Sequence, residues 1–138
     1  MKDTVKRPRT ALALLLSFAL GVIAWVVPAY LSRPKHLDAT LIERIVDLYS
    51  GFPQFTFLTL AGGCFLLGSI FRRTNPLLLG PPSVFFMFYI TGAALRLDPG
   101  SHNLYPFEYV GDTIIGGVTT LAALLGQLLF RFWERDPP

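Results

Sequence analysis

The sequence predicts an all-α, polytopic membrane protein: four transmembrane helices and a short amphipathic helix at the membrane interface. Three observations carry that expectation. Hydrophobic residues make up 52% of the 138 and charged residues 15%, too apolar a balance for a domain with an ordinary polar surface. Four long apolar stretches recur along the chain, and none has a charged residue near its middle. Lys and Arg cluster beside those stretches, where topology signals belong. A chain of this size is ordinarily one domain, so 1–138 is read as a single four-helix transmembrane domain.

A helix rises about 1.5 Å per residue, so crossing a hydrocarbon core of about 30 Å takes about 20 residues. The first span, 11–31, meets that without a charge. Lys6-Arg7-Pro8-Arg9 ahead of leucines has the look of a signal peptide. Its apolar region, however, exceeds the roughly 7–15 residues of a cleavable signal, and no small-x-small site follows cleanly; a retained anchor is expected. The second span, 55–71, is shorter but uninterrupted.

The third span, 77–95, is long enough only if Pro81 and Pro82 are included. Proline is tolerated at the first position of a helix and kinks an interior. Either a kinked helix starts near Pro76, or a shorter one starts near Pro81. The shorter helix would cover only about 21 Å, and irregular backbone at that depth must be covered by protein or water. The kinked helix is therefore expected. The fourth span, 113–132, ends with Arg131 placed to snorkel to the interface.

Between the first two spans, Thr40 and Glu43 have the spacing of a capping box ahead of a helix over 40–49, with Asp38 as an alternative cap. Leu41, Ile42, Ile45, Val46, Leu48 and Tyr49 share one half of its wheel, and Glu43, Arg44 and Asp47 the other. Such a helix should lie flat on the outer membrane surface or over the bundle mouth. The second outward connection, 96–112, contains the turn Asp98-Pro99-Gly100, then His102 and Asn103. Tyr105, Phe107 and Tyr109 follow, at the level of an interfacial aromatic belt. Asp112 is placed to cap the fourth helix.

Orientation follows from counting cations. The N-terminus, the 72–76 turn and the C-terminus carry eight Lys and Arg, and the opposite side carries four. Both termini are therefore expected in the cytoplasm, with the chain in a cell (inner) membrane. The basic pI, about 9.3, reflects these clusters, and no nucleic-acid partner is expected.

Helices in lipid associate where small residues let backbones approach. Ala13, Ser17, Gly21, Ala24 and Pro28 form one such stripe; Gly116, Thr119, Thr120, Ala123 and Gly126 form another, and Cys64 with Gly68 a shorter one. They either hold the four helices of one protomer together or dock another protein.

Most chemistry is poorly supported. Cys64 is the single cysteine, so it has no disulfide or Cys-x-x-Cys partner. Ion-coupled carriers commonly hold an ionisable residue within a span, and here Gln127 is the most polar buried candidate. No Gly-rich phosphate loop, His-Glu-x-x-His or Gly-x-Ser-x-Gly is present. A metal site would need His36, Asp38, His102, Glu108 and Asp112, and neither histidine has a partner among them at helical ligand spacing. The aromatic run 84–89 either contacts a flat lipophilic ligand or simply faces acyl chains and fills the bundle.

What remains is a protein that acts by binding, as accessory or structural subunit, assembly factor or scaffold of a membrane complex. Its partner, besides membrane lipid, would be another membrane protein or copies of itself. The expected contact residues are Tyr49, His102, Asn103, Tyr105, Phe107, Glu108 and Tyr109 on the outer face. A small oligomeric channel or carrier of a lipophilic ligand is the alternative, and an outward-facing membrane enzyme the third.

Overall fold

Leucine and alanine fill the first apolar stretch, with no glycine or proline between Pro8 and Gly21, and it forms one continuous helix, α1 (Lys6–Leu31). The computed structural model describes residues 6–32, 38–51, 53–97, 100 and 106–133. Four further helices follow: α2 (Leu41–Ser50), α3 (Gln54–Ile70), α4 (Pro81–Leu97) and α5 (Phe107–Trp133), with a 3-10 turn at Pro76–Leu78 before α4. No strand occurs among the described residues.

Length and composition let three of these segments cross a membrane: 9–31, 76–97 and 107–133. A fourth crossing arises only if α2 and α3, which meet at 94°, are counted together. On its own α3 has 17 residues, about 25 Å of helix.

The helices pack as two intimate pairs, α1 on α4 and α3 on α5, joined by α1–α3 and α4–α5 contacts; α2 rests on α1 and α4. Glycine sets the intimacy. A β-carbon on Gly21 would overlap the Ser83 carbonyl; one on Gly68 would strike that of Ala123, and one on Gly126 that of Phe65. Ala13, Ser17, Gly21 and Ala24 are buried, as are Gly116, Thr119, Ala123 and Gly126, with Thr120 half-buried. Between the pairs lies a core built on Trp25, Leu60, Met87 and Ile90.

The segment before α4 differs from the expected kinked helix. Asn75 caps the 3-10 turn by accepting from the Leu77 amide at 3.0 Å. The α-helix proper begins at Pro81, because the Pro82 ring has no N–H to give and would clash with the carbonyl four residues back. The irregular backbone at 79–80 is fully buried and satisfied by protein. The Leu79 carbonyl accepts from Ser17 Oγ of α1 and, at 3.6 Å, from Cys64 Sγ of α3. The Gly80 carbonyl accepts from Ser83 Oγ at 2.7 Å. Non-helical backbone at membrane depth would need just such cover.

At the same end of the bundle, Gln127 closes the 71–74 turn. Its Nε2 donates to the carbonyls of Phe71 at 3.2 Å and Thr74 at 2.6 Å. Arg131 donates to the Arg72 carbonyl at 3.1 Å, and the Arg72 guanidinium lies 5.2 Å above the Phe130 ring. The most polar buried candidate of the fourth apolar stretch therefore has a structural task.

Candidate functional site

The opposite end of the bundle, which carries α2, gathers polar and aromatic side chains that the core does not need. Local sequence positions α2 first. Thr40 accepts from the Glu43 amide, while Glu43 Oε2 accepts from the Thr40 amide at 2.7 Å, completing the capping box. The helix then buries Ile45 and Val46 and turns Tyr49 into the bundle. The Tyr49 ring lies 5.8 Å from Trp25, which in turn meets Phe57 edge-on at 6.0 Å. Trp25 is fully buried, and its Nε1 finds no hydrogen-bond partner among the described residues.

The Tyr49 hydroxyl lies 3.1 Å from Thr91 Oγ1 of α4, and Thr91 Oγ1 lies 2.7 Å from Asp112 Oδ2 of α5. Thr91 has one proton to give. With a carboxylate as acceptor it goes to Asp112, and the phenol then donates to the threonine oxygen. Burial pushes the Tyr49 hydroxyl above its ordinary value; the Thr91 bond opposes this, and nearby Asp112, Glu108 and Tyr109 add to it. Tyr49 therefore remains neutral and able to donate at ordinary pH.

This geometry corrects the expected role of Asp112. The helix starts at Phe107, behind Pro106, so Asp112 lies in its second turn and has no exposed amides to cap. Its carboxyl is instead 1% exposed, inside the bundle. The acid that belongs to the helix start is Glu108, in the first turn.

Beside this chain of hydroxyls lies a groove of about 360 Å³. Ile42 of α2 and Tyr109 of α5 flank it, and Phe88, Tyr89, Gly92 and Arg96 of α4 form its floor. Its rings are held in place: Tyr109 stacks on Phe88 at 5.9 Å and 13°, and Tyr89 on Phe86 at 5.9 Å and 19°. Arg96, in the last turn of α4, is the one charged residue on its wall among the described residues.

The expected contact residues therefore divide. Tyr49 is engaged with Thr91, Tyr109 is stacked on Phe88, and Glu108 lies close enough to Tyr49 to be felt electrostatically. Phe107 is 69% exposed. His102, Asn103 and Tyr105 lie outside the described residues, as does His36. Among the described residues no three of His, Cys, Asp and Glu are placed to hold a metal. The buried hydroxyls of Ser17, Ser69 and Ser83 each bond a main-chain carbonyl. Sequence reasoning passed over Thr91 and Arg96. The only signal for Thr91 was one hydroxyl within an apolar run, and Arg96 read simply as a topology cation.

Comparisons with protein-family models, with curated proteins and with solved structures find no match.

Proposed function

We propose that this is a small membrane protein that acts by binding at its α2 end, as an accessory subunit, assembly factor or scaffold of a membrane complex. In this reading four helices span the membrane, α2 lies at the outer interface, and both termini face the cytoplasm across a cell (inner) membrane. One observation carries the reading. The small-residue stripes are occupied within the chain, whereas the α2 end presents an open aromatic groove with exposed Phe107 beyond it. A partner reaching that end would be a membrane protein or a second copy of the chain, without nucleic acid.

Affinity purification in mild detergent tests this. Replacing Tyr105 and Phe107 by alanine should release a copurifying polypeptide while membrane insertion is kept. Retention of every partner by that double variant, with loss on substituting the exposed Phe85 of α4, would make the contact lateral and the proposal wrong.

The groove itself favours a second reading, a site for a lipophilic ligand. Its volume falls within the range of small-molecule pockets, and it is mostly apolar and aromatic with one converging charge.

A further inference from the structure

We propose that the groove between Ile42, Tyr109 and the Phe88–Arg96 edge of α4 binds one anionic phospholipid, its phosphate on Arg96 and an acyl chain along Phe88 and Tyr89. This deepens the second reading above and rests on it. Phe88 and Tyr89 are 37% and 58% exposed within a segment apolar enough to cross a membrane, so the medium they meet there is acyl chain. Arg96 lies two turns further along the same helix, about 10 Å from Tyr89, which matches the offset between a phospholipid's phosphate and its upper chain carbons. A guanidinium is a planar fork suited to phosphate oxygens.

On the helices that line the groove, Glu43 closes the α2 capping box and Asp112 accepts from Thr91. The stacked pairs Tyr109–Phe88 and Tyr89–Phe86 fix flat ring faces against which methylenes pack. Gly92 keeps the middle of the groove open; a β-carbon there would sit 3.5 Å from the Tyr109 hydroxyl, in ordinary contact. A volume of about 360 Å³ takes a headgroup and the start of a chain, with the rest lying along the helix surface.

The full chain, exchanged into an equimolar mixture of phosphatidylglycerol and phosphatidylcholine, is examined by native mass spectrometry. One phosphatidylglycerol should stay bound in preference to phosphatidylcholine. Arg96→Gln should weaken that retention roughly tenfold, the worth of one charge-assisted hydrogen bond, while Arg73→Gln at the other end leaves it unchanged. Gly92→Leu, which fills the groove, should abolish it. Loss in Gly92→Leu with no effect of Arg96→Gln, or equal retention of both lipids, would overturn the anionic headgroup while keeping a lipophilic site. Retention unaffected by Gly92→Leu, or a polypeptide or second copy of the chain in place of lipid, would overturn both.

Discussion

The Thr91 hydroxyl is bonded to the Asp112 carboxylate at 2.7 Å, joining α4 to α5 inside the bundle. Tyr49 extends the link to α2, so a single threonine ties three helices together at one end of the molecule. The arrangement makes a buried acid tolerable and anchors a helix that has only ten residues.

Thr91→Val keeps the shape and removes the one hydroxyl that bonds Asp112 among the described residues. A buried polar group that loses its partner costs about 1–3 kcal/mol, and more when charged. Asp112→Asn should cost less, because an amide oxygen still accepts from Thr91 and no charge is stranded. Unfolding in detergent, followed by helicity, should rank Thr91→Val below Asp112→Asn; the reverse order would mean the bond contributes little.

Backbone contact at Gly68 and Gly126 makes those positions intolerant, whereas a β-carbon on Gly62 or Gly117 meets nothing within 4 Å. Gly126→Leu should prevent the α3–α5 pair from closing and yield aggregated protein. Gly117→Ala should be neutral or stabilising by up to about 1 kcal/mol, from helix propensity. Gly116→Leu or Ala123→Leu should likewise disturb folding more than Leu124→Ala, since Gly116 and Ala123 are buried and Leu124 is 38% exposed. Size-exclusion profiles of the variants separate these outcomes.

Ser17 and Cys64 share one acceptor, the Leu79 carbonyl. Ser17→Ala alone should cost about 1 kcal/mol, the usual net value of one hydrogen bond. The pair Ser17→Ala with Cys64→Ala leaves that carbonyl bare and should cost more than the sum of the two single changes. A double-mutant cycle measures the excess, and simple additivity would count against a shared role.

Topology is tested by labelling single cysteines in a Cys64→Ser background. A membrane-impermeant reagent added outside should modify a cysteine at position 101 and leave one at position 4 untouched. Outside labelling at position 4 would invert the orientation.

The helical architecture and the α2 capping box were legible because apolar length and Thr-x-x-Glu spacing are local signals. Two boundaries were not. Asp112 is a good capping residue at the edge of an apolar run, and this masked the weaker start at Pro106-Phe107-Glu108. With the earlier start Asp112 is taken into the bundle, where Thr91 of another helix offers its carboxylate a bond. The start of α4 was ambiguous for a similar reason: Pro81-Pro82 tolerates an irregular approach only where side chains from α1 and α3 receive the Leu79 carbonyl. The groove was illegible altogether, since Ile42, Arg96 and Tyr109 come from three separate elements.

The pairing of α3 with α5 also sets an order of assembly during synthesis. The chain emerges N-terminus first, so α1 can meet α4, and Gly21 can seat against Ser83, while α5 is still unmade. The face of α3 that carries Gly68 lacks the Ala123 backbone it meets until residues 107–133 are made. Until then α3 keeps a face of small residues without its helix partner. A nascent chain halted after residue 97 would thus be held together on one flank and open on the other, and the final helix is the piece that seals it.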